Sequence, residues 1–101
     1  LNCDFRKFGA DLVTSDGRTI DVKSTYTAGG PLNAVKWSVE KPCDVFVLTE
    51  IHPSHVRIVG WIGRGKFLRD ENLRDVGRGE FYSVPQTYLN AFDEKYYKET
   101  L

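Results

Sequence analysis

A tight turn near the start of the chain constrains the fold more than any other sequence feature. Ser15, Asp16 and Gly17 are turn-forming residues, and they separate two short segments of strand character, LV and TIDV. Residues 9–25 are therefore predicted to form a β-hairpin. The length of the hairpin loop decides which side chains share a face, because side chains alternate along each strand.

Two registers of this hairpin are possible, and they differ in the length of the loop. A two-residue loop would pair Leu12 with Asp21, which mixes apolar and charged residues on both faces. A three-residue loop is a type I turn followed by Gly17 in the left-handed position of a G1 bulge. This loop pairs Leu12 with Ile20. One residue further along each strand, it places Asp11 opposite Asp21. Only this register separates an apolar face from a charged one, with Leu12, Ile20 and Val22 on the first and Asp11, Asp21 and Lys23 on the second.

The two carboxylates of the charged face would repel each other, because paired Cβ atoms on neighbouring strands lie about 5 Å apart. Lys23 can offset part of this repulsion, and a divalent cation held by both carboxylates would offset more. Magnesium suits the site because it is a hard ion that takes one or two carboxylates, keeps several waters and binds substrate phosphate. Asp11 and Asp21 are therefore candidate metal ligands.

These residues resemble the bipartite signature of the PD-(D/E)XK nuclease superfamily, with Asp11 on one strand and Asp21-Val22-Lys23 on the next. The resemblance implies a restriction-endonuclease-like fold and a magnesium-dependent deoxyribonuclease, in which Mn²⁺ can substitute for Mg²⁺. It implies that Asp11 and Asp21 bind the metal together with the Val22 carbonyl. It also implies that Lys23 positions or activates the attacking water, so that Asp11, Asp21 and Lys23 are the catalytic residues.

The sequence departs from the superfamily pattern at two points. Ala10 stands where many members have Pro, at a position that takes no part in the chemistry. Members also carry an acidic residue on a helix ahead of the hairpin, and here ten residues precede Asp11. The expectation is a single nuclease-like domain over residues 1–101 without that helix. Either Leu1 is not the natural start, or the site lacks one supporting carboxylate.

An acid-x-Lys triplet alone is weak evidence, because a second one occurs by chance at residues 93–95. The alternative interpretation of Asp21 and Lys23 is a solvated strand face with an ion pair of little energetic value. The hairpin register and Asp11 favour the nuclease interpretation. A second hypothesis is a catalytically inactive nucleic-acid-binding or assembly domain of the same fold.

Composition limits the class of protein. The chain has 101 residues, of which 41% are apolar, so it can bury one core without disulfides, and Cys3 and Cys43 are expected to be free thiols. Its formal net charge is zero, so local basic patches and a metal must supply the contacts to phosphate. It contains no apolar run of membrane-spanning length and no signal peptide. A soluble, intracellular, cytoplasmic protein of viral or bacterial origin is expected.

The remaining sequence predicts an α/β (α+β) fold, a mixed central β-sheet flanked by helices on both faces. The spacing of Leu32, Val35 and Val39 predicts a helix over residues 31–41. The other predicted elements are strands over residues 44–51 and 55–62 that form a hairpin, an irregular segment over 63–80, a strand over 81–84 and a helix over 86–99.

Candidate contacts to nucleic acid lie outside the hairpin turn. Lys36 on the predicted helix could reach a phosphate, although a surface pair with Glu40 is equally consistent with the spacing. Thr25 could donate a hydrogen bond, and Arg64, Lys66 and Arg69 form the best local basic cluster or a solvated linker. The expected partners are DNA and, by resemblance, a second copy of the chain.

Overall fold

The computed structural model of the chain describes residues 12–40, 43–77 and 79–92. Most of these residues belong to β-strands or to the turns between them. The strands are β1 (Leu12–Val13), β2 (Thr19–Thr25), β3 (Leu32–Val35), β4 (Val45–Ile51), β5 (Val56–Gly63), β6 (Leu73–Asp75) and β7 (Glu80–Val84). The helical elements are α1 (Arg64–Phe67) and the 3₁₀ turns Lys36–Glu40, Asp70–Asn72 and Gln86–Tyr88.

Two sheets enclose the core. The first has the strand order β1-β2-β4-β5, in which β2 and β4 are parallel and the other neighbours antiparallel. The second has the order β3-β7-β6 and is antiparallel throughout. The buried cluster draws on both sheets and on α1, and it consists of Leu32, Ala34, Cys43, Phe46, Leu48, Ile62, Phe67, Tyr82 and Val84.

The predicted fold class, a mixed sheet flanked by helices, is wrong. A second sheet packs where helices were expected, and the helical elements among the described residues are no longer than five residues. None of the helices in this part of the chain is long and apolar enough to cross a membrane.

The helix predicted over residues 31–41 is a strand followed by a 3₁₀ turn. Leu32 and Ala34 are buried and their neighbours Asn33 and Val35 are exposed, which is the alternation of a strand rather than the period of a helix. Pairing with β7 satisfies the backbone of this strand, and the 3₁₀ turn begins only at Lys36. The three apolar residues of the sequence pattern fitted a helix, but a partner strand distant in sequence decided the structure.

The helix predicted over residues 86–99 is also wrong as far as the structure describes it. A 3₁₀ turn covers Gln86–Tyr88, and the chain then runs alongside β5. The Trp61 amide donates to the Asn90 carbonyl at 2.9 Å, and the Asn90 amide donates to the Trp61 carbonyl at 2.7 Å. These two bonds use backbone groups that a helix would need. Residues 93–99 lie outside the described residues.

The predicted hairpin register is confirmed. Leu12 pairs with Ile20, as the three-residue loop requires. The Gly17 amide donates to the Thr14 carbonyl at 3.0 Å, and Gly17 has a φ of 89°, a left-handed conformation that glycine adopts without strain. Asp11 lies outside the described residues, so the expected pair with Asp21 stays a prediction.

The strands predicted over residues 44–51, 55–62 and 81–84 are confirmed as β4, β5 and β7. The first two form the expected antiparallel hairpin. The segment predicted as irregular contains α1, a 3₁₀ turn and the short strand β6. Buried Asn72 holds this segment together, because its side-chain amide donates to the carbonyls of Lys66 and Phe67 at 3.1 and 2.9 Å.

Gly60 provides a test of how the segment at Leu89 and Asn90 packs on β5. A Cβ added to Gly60 would lie 2.6 Å from the Asn90 carbonyl oxygen and 3.1 Å from Leu89 Cβ. We expect Gly60→Ala to lower the free energy of unfolding by about 1–3 kcal/mol, because the backbone at Asn90 must move. Urea denaturation measures this change.

Gly65→Ala is the matched control, since an added Cβ at Gly65 meets no atom within 4 Å and lies in α1. This variant should unfold at the same urea concentration as the parent or slightly higher. Equal destabilisation by the two variants would contradict the close packing at Gly60.

Candidate functional site

Asp21 and Lys23 form an ion pair on the inner face of the first sheet. Parallel pairing aligns Asp21 with Phe46 and Lys23 with Leu48, so all four side chains point to the side that holds the core. Lys23 Nζ lies 3.3 Å from Asp21 Oδ2. Asp21 is buried, with 6% of its surface exposed, so the pair combines a desolvated carboxylate with one nearby ammonium.

The prediction that the apolar face of the hairpin packs on the core is wrong. Ile20 and Val22 were expected to be buried, but both are only half-buried, on the face opposite Asp21. The reason is that the largest side chains of β4, Phe46 and Leu48, point away from them. The charged face of the hairpin therefore borders the core instead of facing an open cleft.

Lys23 is the more solvent-exposed partner of the ion pair. Its side chain is 28% exposed, against 9% for the side chain of Asp21. It lines a shallow depression of about 290 Å³ between the two sheets. We call this the lysine depression; its lining residues are Lys23, Asn33, Ala34, Val35 and Phe81. Asp21 is not among these residues, so the Lys23 ammonium is the charged group that an anion in the depression would contact.

Cys43 lies beside this pair but is not a reactive group. It is a free, buried cysteine, as the sequence predicted, and its thiol donates to the Val45 carbonyl at 3.2 Å. Burial and the nearby charge of Asp21 raise the pKa of the thiol to about 11. It is therefore protonated at neutral pH and is not a nucleophile. Cys3 lies outside the described residues.

The donor atoms at this site suit a hard divalent cation. The Asp21 carboxylate and the Val22 carbonyl, the ligands that the sequence predicted, are the oxygen donors that magnesium prefers. The third predicted ligand, Asp11, is not among the described residues. Within residues 12–40, 43–77 and 79–92, no three His, Cys, Asp or Glu side chains form a metal-binding group. Magnesium takes one or two carboxylates, so the Asp21 carboxylate is kept as a candidate ligand, paired here with the Lys23 ammonium at 3.3 Å.

Two predicted nucleic-acid contacts already have partners within the protein. Lys36 Nζ donates to Glu80 Oε1 at 2.9 Å, and this bond and the charge of Glu80 raise the pKa of Lys36. This pair links β7 to the 3₁₀ turn, so Lys36 pairs with Glu80 rather than with Glu40, the alternative that the sequence spacing allowed. Thr25 Oγ1 accepts a hydrogen bond from the Thr27 amide at 3.1 Å, which shapes the turn after β2.

The predicted basic cluster is divided between two places. The Arg64 guanidinium is half-buried and donates to the Cys43 carbonyl at 3.3 Å. Lys66 and Arg69 line a different depression, of about 330 Å³, at the edge of the second sheet. Sequence reasoning missed the other polar residues of this depression, which include Arg74, Ser83 and Tyr88.

Sequence reasoning also missed Asn33, Val35 and Phe81, which line the lysine depression. Asn33 and Val35 were assigned to a helix, whereas in β3 they alternate with the buried residues Leu32 and Ala34. The apolar-polar-apolar order of Leu32, Asn33 and Ala34 was the sequence signal that could have indicated a strand here. Phe81 reaches the site only through the pairing of β7 with β3, which no local pattern reveals.

Glu50 is the second buried carboxylate on this face, and its role is structural. Its Oε2 accepts from the Gly29 amide at 2.9 Å and from the Gln86 side-chain amide at 2.6 Å, and it lies 3.1 Å from the Arg57 guanidinium. Its Oε1 lies 2.9 Å from His52 Nε2. The bonds from Gln86, Gly29 and His52 lower the pKa of Glu50 to about 2.

This depressed pKa predicts a pH dependence of stability. The carboxyl group has an ordinary pKa of 4.5 when unfolded and about 2 when folded, so its stabilising effect is present above pH 4.5 and is lost as the pH falls toward 2. Denaturant midpoints measured between pH 7 and 2 should fall through this window. Glu50→Gln should be less stable at pH 7 and should lose less stability below pH 4.5. The same acid dependence in both proteins would contradict this role.

Comparison of the chain with known proteins gives no match to a protein-family model, to a curated protein or to a solved structure. Support for a function therefore comes from the residues of the hairpin and from the geometry around them.

Proposed function

We propose that this protein is a metal-dependent nuclease that hydrolyses phosphodiester bonds in DNA, with Asp11, Asp21 and Lys23 as its catalytic residues. The proposal depends on the ion pair between Asp21 and Lys23, with Nζ 3.3 Å from Oδ2, in which Lys23 lines an open depression. The confirmed pairing of Leu12 with Ile20 supports it, because the same register, continued by one residue, would pair position 11 with position 21. The place of Asp11 itself is part of the proposal.

The proposed metal is Mg²⁺, with Mn²⁺ as a substitute, held by Asp11, Asp21 and the Val22 carbonyl. When bound, this ion polarises a phosphoryl oxygen and lowers the pKa of a bound water. The remaining chemistry belongs to the protein. Burial of Asp21 keeps its charge poorly solvated and its interactions with cations strong. The same carboxylate holds the Lys23 ammonium at the mouth of the depression.

Lys23 has two tasks in this mechanism. Its ammonium is a compact charge that stabilises the negative charge developing on the phosphate. Its N–H donors orient the attacking water, and because the Lys23 side chain is only 28% exposed, competing solvent is partly excluded. Both tasks require the substrate phosphate to lie in the lysine depression, where the Lys23 side chain is accessible.

DNA is the proposed partner because its phosphates supply the anion that this site accepts. The protein carries no net charge, so the electrostatic attraction to DNA must come from local cationic side chains. The proposed sources are Lys23 at the site and Lys66 with Arg74 in the depression at the edge of the second sheet. Arg69 in the same depression is already paired with Glu71 at 3.4 Å. A second copy of the chain would extend the contact along the DNA.

Substitution of the ion pair tests the proposal. Lys23→Ala and Asp21→Asn should each reduce Mg²⁺-dependent cleavage of labelled DNA by about 100-fold or more, because each removes charge that the transition state requires. Asn has the size of Asp, so Asp21→Asn should keep the packing around the buried position. Far-UV circular dichroism and thermal unfolding of each variant check that the fold is retained.

Arg18→Ala is the matched control. Arg18 Nε lies 3.4 Å from Asp16 Oδ2 in the hairpin turn, so this variant also removes a cation from an Asp pair, but on the exposed loop. Its cleavage rate should stay within about twofold of the parent rate, as expected for an exposed pair. Undiminished cleavage by folded Lys23→Ala would overturn the mechanism. DNA binding without cleavage by the parent in Mg²⁺ and Mn²⁺ would favour the alternative, a catalytically inactive nucleic-acid-binding domain.

A further inference from the structure

A second depression adjoins the lysine depression. It has a volume of about 440 Å³, and we call it the tryptophan depression. Its lining residues are Val35, Lys36, Trp37, Val76, Gly79, Glu80 and Phe81. Val35 and Phe81 line both depressions, so the two form one continuous surface.

The walls of the tryptophan depression are apolar and unusually open to solvent. Trp37 is 55% exposed, Val35 45% and Val76 71%. Exposed residues of this size are common singly, but a group of them around one hollow indicates a binding surface.

The fold fixes the positions of these side chains. Val35 pairs with Phe81 across β3 and β7, on the face of the second sheet that points away from the core. The 3₁₀ turn after β3 begins at Lys36 and carries Trp37. The backbone that carries the indole ring therefore follows directly from the end of β3, next to Val35.

The charges around this surface are arranged for an amphipathic ligand. Lys36 and Glu80 pair with each other at 2.9 Å on the rim of the tryptophan depression, so they largely cancel. Lys23 at the other end of the surface pairs with Asp21, and its ammonium is the more exposed partner. A ligand that fits has a flat apolar part against Trp37 and an anionic group at Lys23. A nucleotide within a polynucleotide chain has both.

We propose that the tryptophan depression binds an unpaired nucleobase, stacked on Trp37, while the phosphate next to that base lies at Lys23. This inference rests on the proposed function and names its substrate class, which is single-stranded DNA or a strand with unpaired bases. In an intact duplex the faces of the bases are stacked on one another, so the Trp37 ring cannot reach them unless a base is extruded. Stacking also requires no particular base, because every base has an aromatic face.

Tryptophan fluorescence tests the inference directly. The chain has two tryptophans, Trp37 and Trp61, so Trp61→Phe leaves Trp37 as the only one. With a metal chelator present to prevent cleavage, a 12-nucleotide oligothymidylate should quench this fluorescence. A blunt duplex of the same length should bind at least about tenfold more weakly.

A second measurement uses fluorescence anisotropy of the labelled oligothymidylate and does not require the Trp61 variant. Trp37→Ala should weaken binding about tenfold, and Trp37→Phe, which retains an aromatic face, should restore most of the affinity. Tyr26→Ala is the matched control, because Tyr26 is an aromatic residue that is 83% exposed but lines neither depression. Its affinity should equal that of the parent protein.

Three binding results would overturn the inference. The first is unchanged binding of oligothymidylate by Trp37→Ala. The second is equal binding of single strand and duplex. The third is a loss of self-association by Trp37→Ala in analytical ultracentrifugation without any change in oligonucleotide binding, which would make the depression a protein interface. The proposed function fails separately: quenching at Trp37 without cleavage in Mg²⁺ would refute the nuclease and leave the stacking site. Cleavage that is unaffected by Trp37→Ala would refute only the stacking site.

Discussion

The parallel pairing of β2 with β4 is the constraint on which the rest of the structure depends. β4 carries Phe46 and Leu48 on one face, and the burial of each such side chain contributes about 1.5–3 kcal/mol, so this face must point inward. Because β2 joins β4 in register, Asp21 and Lys23 point inward as well. The core of the protein thereby places one carboxylate and one ammonium at the seam between two sheets, where solvent enters.

Among the described residues, the inner face of the first sheet carries two buried carboxylates, Glu50 and Asp21, and their surroundings differ. Glu50 has two amide donors, a guanidinium and an imidazole around it, which satisfy a buried charge. Asp21 shares its ion pair with Lys23, which is partly exposed and faces a depression.

The sequence allowed correct prediction of features that depend on neighbouring residues. The three-residue loop and the register of Leu12 with Ile20 follow from Gly17 and from side-chain alternation, both of which are local. The helix predicted over residues 31–41 failed because its apolar spacing also suits a strand, and pairing with β7 decided between them. The tryptophan depression could not be predicted, since it exists only when β3 lies beside β7.

Manganese binding followed by nuclear magnetic resonance can test the proposal that Asp21 and Lys23 form a metal-dependent cleavage centre. Sub-stoichiometric Mn²⁺ broadens the amide signals of residues close to the ion. We expect selective broadening at Asp21, Val22 and Lys23 that disappears in Asp21→Asn. Broadening that is absent, that persists in this variant or that centres on Glu50 would contradict it.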